Sequence, residues 1–264
     1  LLTNEPGIQM VATTHASNVI GCVLPVEKIG EIVQKHGAIY LVDAAQTAGA
    51  LPIDVEAMNI DMLAVAGHKA LYGPPGVGAL YVSERVELNT FIEGGTGNDS
   101  GRHPMIATIP DGFEVGTIPL PQIQALATGT DWVMKKGLKK IRKHEVALLE
   151  QLLEGLNELE EVTVYGHQDI DQKTAVVSFN VEGYLPKELA DKMMDEFDIA
   201  LRGGFHCAPM AHEALGTIER GGTVRASIGY FTQEEDVQAL LDALKKEISR
   251  DASPSVTVST SASG

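Results

Sequence analysis

The chain has 264 residues, of which 44% are hydrophobic and 21% charged, and this composition is typical of a globular protein. Its 20 basic and 36 acidic side chains give a net charge of −16. This charge argues against a nucleic-acid or anionic-membrane partner, because such binding needs clustered Lys and Arg. No apolar run approaches the roughly 18 residues that cross a bilayer. The two distant cysteines, Cys22 and Cys207, fit a reducing compartment and predict a cytoplasmic location.

Short apolar runs alternate with helical patterns in the first part of the chain, which predicts a mainly parallel sheet covered by helices. A helix is predicted between Pro25 and Gly37, where apolar residues recur at helical spacing. The connection between the third and the fourth predicted strand is too short for a crossover helix, so the fourth strand can be antiparallel to the others. The predicted strands lie at 8–13, 38–42, 62–66 and 78–82.

The second part of the chain predicts a smaller α+β domain. Residues 84–120 show no sustained period and read as a long loop, and residues 121–159 have the spacing of long helices. Further strands are predicted at 162–165, 175–181, 199–202 and 224–228, with helices at 186–197 and 234–248. We therefore predict a large domain at 1–120, linking helices and a small domain at 121–250, and a disordered Ser/Thr-rich tail at 251–264.

Polar residues follow three of the predicted parallel strands. The first strand runs into His15 to Asn18, the second into Asp43 and Gln46, and the third into His68 and Lys69. Ligands of an open parallel sheet bind beyond the carboxyl ends of its strands, so we expect these clusters to converge on one edge.

Asp43 and Lys69 each allow two interpretations. A carboxylate at the mouth of a buried strand needs a cation or donors, yet Asp is also a common N-cap for a following turn. Desolvation would make Lys69 a nucleophilic amine, yet most such lysines are surface residues. The Gly/Pro-dense turn at 72–78 favours the functional interpretation, because it lets the backbone approach a ligand closely. A buried amine and carboxylate together suit pyridoxal phosphate (PLP).

Four segments resemble the successive signatures of cysteine desulfurases, within the class V aminotransferase family of fold-type-I PLP-dependent enzymes. They read VDAAQ at 42–46, AGHK at 66–69, EVGT at 114–117 and RGGFHCAP at 202–209. The resemblance extends from the first strand to about residue 248. It implies an α/β fold in which a mainly parallel large domain, present in part, is followed by a smaller α+β C-terminal domain. The family's phosphate loop and the histidine that stacks on PLP have no counterpart here, so we expect the N-terminal part to be missing.

The resemblance also implies roles for residues around the cofactor. Lys69 matches the lysine that binds the PLP aldehyde, and Asp43 matches the partner of the pyridinium nitrogen. Gln46 would bind the phenolic oxygen and His68 the phosphate. Thr117 matches a residue that reaches the phosphate of the neighbouring subunit, so a homodimer is implied. Ala66 stands where the family usually has a hydroxyl residue.

Substrate binding and catalysis are assigned in the same way. Arg225 matches the arginine that clamps the substrate carboxylate, Arg202 matches a second arginine of that site, and Asn18 matches a position near cofactor and substrate. Cys207 would take sulfur from L-cysteine as a persulfide and release alanine. Free Cys usually packs as a small hydrophobe, but the neighbouring Arg202, His206 and glycines favour the thiolate and hence the functional interpretation.

Several alternatives stay open at this stage. Selenocysteine is an alternative substrate, and a sulfur-acceptor protein is a further candidate partner. A related class V lyase could use Lys69 without Cys207. A shortened homologue could keep the fold without holding PLP. His206, Cys207 and His212 lack a further ligand at a familiar spacing, so we predict no metal.

Overall fold

A computed structural model of the chain describes residues 2–5, 7–95 and 109–251. These residues divide into two compact units, the first within Leu1–Ala16 and Val23–Ile141 and the second within Ser17–Cys22 and Arg142–Gly264. The helix after residue 120 is thus grouped with the first unit, although the sequence places a boundary before it. Most of the predicted tail and part of the predicted 84–120 loop lie outside the described residues.

The first unit is built on a four-stranded sheet with the order β1-β2-β3-β4. β1 pairs with β2 and β2 with β3 in parallel, whereas β3 and β4 are antiparallel, as their short connection suggests. The strands agree with the predicted ones to within two residues. The elements of this unit are β1 (Met10–Thr14), α1 (Val26–Lys35), β2 (Ile39–Asp43), β3 (Met62–Ala66), β4 (Gly78–Val82) and α2 (Leu120–Lys136).

The core of the first unit lies between α1 and the middle of the sheet. Val26 and Val33 of α1 are buried together with Tyr40 and Val42 of β2. Tyr40 is fully buried and its hydroxyl lies 2.9 Å from Thr13 Oγ1, and burial raises the pKa of this phenol. Alternate residues of β2 face this core, which determines where the strand's last residue, Asp43, points.

The second unit has an antiparallel sheet with the order β5-β6-β8-β7. The predicted helical run at 121–159 is divided at Gly137, whose φ is +84°. The strand predicted at 199–202 begins only at Arg202, and α5 was not predicted. The elements are α3 (Leu138–Asn157), β5 (Val162–Tyr165), β6 (Val176–Val181), α4 (Pro186–Phe197), β7 (Arg202–Gly204), α5 (Pro209–Leu215), β8 (Thr223–Ser227) and α6 (Glu234–Asp251).

The core of the second unit joins its long helices to the central strands. Leu149 of α3, Phe179 of β6, Met193 of α4 and Leu244 of α6 are all fully buried in one cluster. Every residue of β6 is buried, including two polar ones. These polar residues are Ser178 and Asn180, and both side chains make hydrogen bonds, as buried polar groups generally do. None of the described helices is long and apolar enough to span a membrane.

Candidate functional site

The carboxyl ends of β1, β2 and β3 lie at one edge of the sheet, because these three strands run parallel. His15 Nδ1, just after β1, lies 2.9 Å from Thr47 Oγ1, just after β2. Burial lowers the pKa of His15. The expected convergence of polar segments is confirmed for the segments after β1 and β2.

Asp43 ends β2 on the face shared with the half-buried Ile39 and Leu41, and its side chain is exposed. The expectation of a buried carboxylate is therefore wrong, because the covered face of β2 carries Tyr40 and Val42 instead. Asp43 Oδ1 accepts a hydrogen bond of 2.8 Å from the Ala45 N–H and so caps the following turn. This contact uses one carboxylate oxygen and leaves the other available to a ligand.

Lys69 lies in a tight turn directly after β3 and is half-buried. Its carbonyl accepts a 2.9 Å hydrogen bond from the Tyr72 N–H. Helix α2 approaches this turn so closely that a Cβ added at Gly129 would lie 2.4 Å from the Leu71 oxygen. The turn is thus held by its own backbone and by α2. Within the described part of the chain, Lys69 Nζ has neither an ion pair nor a hydrogen bond.

The other predicted cofactor residues of the first unit are less enclosed. Gln46 is half-buried in the turn after β2, and His68 is exposed beside Lys69. Thr117 is exposed in the segment that leads into α2. An amine and a carboxylate that form no ion pair with any described residue, together with an amide, therefore lie at the carboxyl edge of one sheet. This set of groups fits the aldehyde, the ring nitrogen and the phenolic oxygen of PLP.

The second unit brings together the two predicted arginines. Arg202 of β7 and Arg225 of β8 occupy paired register positions. Arg225 Nη1 donates a 2.9 Å hydrogen bond to the Asn18 carbonyl, but its Nε is buried and has no acceptor in the described part of the chain. Burial, followed by the charge of Arg202, lowers the pKa of Arg225, while Cys207 acts in the opposite direction. Two neighbouring cations with an unsatisfied donor favour binding of an anion such as a carboxylate.

Cys207 lies in the loop between β7 and α5 and is exposed. Arg202 Nη2 donates a hydrogen bond to Cys207 Sγ at 3.4 Å, so the sulfur lies beside a guanidinium. His206 and Cys207 have φ values of +52° and +61°, in the left-handed region that non-glycine residues rarely adopt. Consecutive residues in this conformation need support from their surroundings.

The His206 side chain is buried beneath the surface of the Cys207 loop and adds no positive charge to it. Its ring is buried and its Nε2 lies 3.0 Å from Thr223 Oγ1. Burial, then the charges of Arg225 and His212, lower the pKa of His206 to about 4. His206 is therefore neutral at pH 7, and its expected contribution to an electropositive loop is wrong. Among the described residues, no three His, Cys, Asp or Glu side chains form a group that could hold a metal.

Asn18 connects the two halves of this second-unit site. Its side-chain amide donates a 2.7 Å hydrogen bond to the His206 carbonyl, while its own carbonyl accepts from Arg225. Asn18 was predicted from the sequence, whereas Thr223 and Ser178, which continue the hydrogen bonds of His206, were not. A buried serine within the mainly apolar β6 was the available signal for the latter.

The fold and these residue sets define a class of protein. A family model described as Aminotransferase class-V matches residues 3–240. The chain therefore belongs to the class-V aminotransferase family, whose members are PLP-dependent, and the resemblance inferred from the motifs is confirmed.

Relatives of more specific description cover most of the chain. It is 38% identical over 244 residues to a probable cysteine desulfurase of Pyrococcus abyssi, covering 91% of this chain and 60% of the relative. It is 32% identical over 248 residues to a cysteine desulfurase of Haloferax volcanii, covering 91% of this chain and 56% of the relative. The chain thus spans somewhat under two thirds of the length of these relatives.

Solved structures confirm the fold type I prediction. The apo cysteine desulfurase of Thermococcus onnurineus NA1 matches with a TM-score of 0.87 and 34% identity, covering 94% of this chain and 62% of that chain. The S-sulfonic acid form of the Escherichia coli cysteine desulfurase CsdA matches with a TM-score of 0.83 and 25% identity, with the same two coverages of 94% and 62%.

Proposed function

We propose that the protein containing this chain is a PLP-dependent cysteine desulfurase, which converts L-cysteine to L-alanine and collects the sulfur on Cys207 as a persulfide. The observation that carries the proposal is the exposed Cys207 sulfur, 3.4 Å from Arg202 Nη2, in a unit that also holds Arg225. A nucleophilic sulfur and a carboxylate-binding pair of arginines are the two parts that this reaction requires. The similarity to cysteine desulfurases supports the same conclusion.

The residues of the first unit are suited to hold the cofactor. Lys69 would bind its aldehyde, Asp43 its ring nitrogen, Gln46 its phenolic oxygen and His68 its phosphate. Asn18 would lie near cofactor and substrate. Thr117 would serve the phosphate in the partner subunit of a homodimer. When bound, PLP supplies an electron sink for the α-carbon of an amino acid.

Side chains of this chain bind the substrate carboxylate, transfer the α-proton and attack the substrate sulfur. Arg225 and Arg202 bind the carboxylate of L-cysteine, and the planar guanidinium of Arg225 is suited to a bidentate contact. Lys69 Nζ accepts the α-proton and later returns a proton to the product carbon. The Cys207 thiolate attacks the substrate sulfur. The new S–S bond forms as the substrate Cβ–S bond breaks, and the electron pair of the broken bond stays with the substrate carbons. Cβ takes up the proton that the substrate thiol loses, in addition to the proton that Lys69 returns to Cα, which leaves a persulfide on Cys207 and alanine as product.

The proposed enzyme works as a homodimer in the cytoplasm, where its free cysteines stay reduced. The persulfide then needs an acceptor, and a sulfur-acceptor protein is the proposed one. The exposure of Cys207 supports transfer to a second macromolecule. Selenocysteine has the same carboxylate and amino group as cysteine, and competition between the two substrates determines which is preferred.

The test compares Cys207→Ala with Cys22→Ala in the full-length protein. We expect Cys207→Ala to reduce alanine production from L-cysteine about 100-fold or more, because the sulfur acceptor of the reaction is removed. Cys22→Ala should keep wild-type turnover, and both variants should keep the visible absorbance of bound PLP. Unchanged turnover in Cys207→Ala would indicate a class V lyase that does not use this cysteine. A full-length protein that binds no PLP would contradict the proposal altogether.

A further inference from the structure

A closed ring of hydrogen bonds lies beneath the Cys207 loop. Three of its side chains are almost wholly buried, with exposed fractions of 3% for His206, 0% for Thr223 and 0% for Ser178. His206 Nε2 lies 3.0 Å from Thr223 Oγ1, which lies 3.1 Å from Ser178 Oγ. Ser178 Oγ donates to the Val19 carbonyl at 2.6 Å. Asn18, the residue before Val19, closes the ring through its 2.7 Å bond to the His206 carbonyl.

The Val19 carbonyl determines the direction of each side-chain hydrogen bond from Ser178 to His206. The Val19 carbonyl can only accept, so the Ser178 proton points to it, and Ser178 can then only accept from Thr223. The Thr223 proton is thereby used, so Thr223 accepts from His206. His206 must carry its proton on Nε2 and none on Nδ1, which agrees with the burial of Nδ1 and with its lack of a hydrogen-bond partner among the described residues. The ring thus fixes both the tautomer and the orientation of the imidazole.

The ring is also connected to the carboxylate-binding arginine. Arg225 Nη1 donates to the Asn18 carbonyl at 2.9 Å, and Arg225 follows Thr223 by two residues on β8. The charged or titratable groups that act on His206 are Arg225, His212 and Arg202, and the ring of His212 lies 5.5 Å from that of His206. All of these groups belong to the second unit.

We propose that Thr223 and Ser178 are positioning residues for the persulfide-forming step, which act through His206. Their hydrogen bonds hold the 206–207 backbone in its left-handed conformation, and so hold the Cys207 sulfur beside Arg202 and at a fixed place relative to Arg225. The inference rests on the proposed function for its role in catalysis. The positioning itself is a property of the Cys207 loop and can be measured separately.

The first measurement is the alkylation rate of Cys207 by iodoacetamide at one fixed pH in the full-length protein. It is followed by peptide mass spectrometry, with the half-buried Cys22 as a reference in each sample. We expect Thr223→Val to slow alkylation about tenfold, because the loop loses its anchor and the sulfur leaves the Arg202 guanidinium. Thr223→Ser keeps the hydroxyl and should restore the rate to within about twofold. Thr174→Val, which removes another buried hydroxyl of this unit, should leave the rate unchanged.

The second measurement is steady-state turnover of L-cysteine by the same variants. Thr223→Val should lower kcat about tenfold or more and change KM about threefold or less, because Arg225 still binds the carboxylate. If Thr223→Val does not fold, Ser178→Ala keeps the hydroxyl that His206 needs and should give a smaller loss, about threefold, in both measurements.

Two results would overturn the inference. The first is a folded Thr223→Val variant whose Cys207 alkylation rate equals that of wild type; if Thr223→Val does not fold, Ser178→Ala takes its place in this comparison. The second is a Thr223→Ser variant whose alkylation is as slow as that of Thr223→Val. The outcome is distinguishable from that of the proposed function. If wild type does not turn over L-cysteine but Thr223→Val alters alkylation, the desulfurase proposal fails and the positioning of Cys207 stands. If wild type turns over L-cysteine and Thr223→Val does so equally well, the inference alone fails.

Discussion

Single residues divide into those that carry chemistry and those that hold them in place. We propose that Arg225 belongs to the first group, because its buried Nε has no acceptor among the described residues and Arg202 occupies the paired position on β7. We predict that Arg225→Lys lowers kcat/KM for L-cysteine about 100-fold, mainly through KM, since an ammonium cannot make the bidentate contact. Steady-state kinetics checks this. Arg220→Lys changes an exposed arginine and should match wild type, whereas an unchanged KM in Arg225→Lys would exclude the carboxylate-binding role.

The two interpretations of Asp43 can be separated by one substitution. Asn caps a turn about as well as Asp, so Asp43→Asn should keep the bond from Ala45 and change the free energy of unfolding by about 0.5 kcal/mol or less. It removes the negative charge that a protonated ring nitrogen requires. We predict that PLP affinity falls about tenfold or more, measured by titration of absorbance. Asp43→Ala should lose both the cap and the affinity, and an Asn variant with wild-type affinity would leave only the capping role.

The sequence nominated residues by their type and motif, such as Lys69, Cys207 and Arg225, and their roles stay predictions. It was not sufficient for Thr223 and Ser178, whose importance depends on which atoms meet across β6 and β8. The neutral state of His206 could not be predicted from the sequence either, because it results from burial and from the charges of Arg225 and His212. Side-chain roles that depend on cross-strand partners require the register, and the register is a property of the fold.

At the scale of elements, close packing of α2 on the Lys69 turn depends on Gly129. Ala in a helix is normally better than Gly by about 1 kcal/mol, but a Cβ here would lie 2.4 Å from the Leu71 oxygen and 2.9 Å from the Tyr72 carbonyl carbon. We predict that Gly129→Ala lowers the free energy of unfolding by about 1–2 kcal/mol and weakens PLP binding. Urea unfolding and PLP titration measure the two effects. Thr128→Ala, at the adjacent exposed position of α2, should change neither, and a stabilised Gly129→Ala would contradict the observed packing.

Helix α3 carries a buried carboxylate that makes folding pH-dependent. Burial raises the pKa of Glu145 to about 7, although Arg142 opposes the shift, and the Arg142 guanidinium donates instead to the Ile170 and Lys173 carbonyls. The folded-state pKa thus lies above the usual value of 4.5, so the contribution of protonated Glu145 to stability is present below pH 4.5 and is lost as the pH rises to about 7.

We therefore predict that Glu145→Gln is more stable than wild type at pH 8 by about 2 kcal/mol and that the difference shrinks toward zero near pH 4.5. Urea unfolding at several pH values measures it. Glu150→Gln, at an exposed position of the same helix, serves as the control and should show no such trend. If the free energies of unfolding of Glu145→Gln and wild type differ by the same amount at all pH values, the raised pKa of Glu145 is refuted.

The elements that the sequence missed share a physical reason. Helix α5 has only seven residues, too few for a clear helical period, and its limits are set by Pro209 at its start and Gly216 just after its end. The strand expected at 199–202 is apolar in sequence, but only Arg202 of this run pairs with β8. Short apolar runs can pack without joining a ladder, and hydrophobic pattern alone does not distinguish the two cases.

At the scale of the whole chain, alternating strands and helices correctly predicted a parallel sheet followed by an α+β unit. The assignment of residues 17–22 to the second unit could not be predicted, because it rests on contacts between residues far apart in sequence. Examples are the Lys173 Nζ hydrogen bond to the Ile20 carbonyl and the Ser178 bond to Val19. Local patterns predict elements well, whereas distant contacts decide which element belongs to which unit.

The proposed homodimer makes a prediction about the whole molecule. Near the exposed Thr117, the side chains of Ile118, Leu120 and Ile123 are 37%, 63% and 39% exposed, and such apolar side chains are typical of surfaces that bind another protein. We predict that the full-length protein sediments as a dimer and that Leu120→Asp weakens association about 30-fold or more, since a buried unpaired carboxylate at an interface costs about 2 kcal/mol or more.

Sedimentation velocity over a range of concentrations measures this association. Ile32→Asp, at a 51% exposed apolar position of α1, is the matched control and should leave the dimer intact. A wild-type monomer at all concentrations would refute the homodimer, and with it the role of Thr117 in a partner's site. A dimer that is insensitive to Leu120→Asp would instead exclude this segment from the interface. PLP titration of Leu120→Asp then connects assembly to the site, because a cofactor held in part by Thr117 of the partner should bind less tightly as the dimer dissociates.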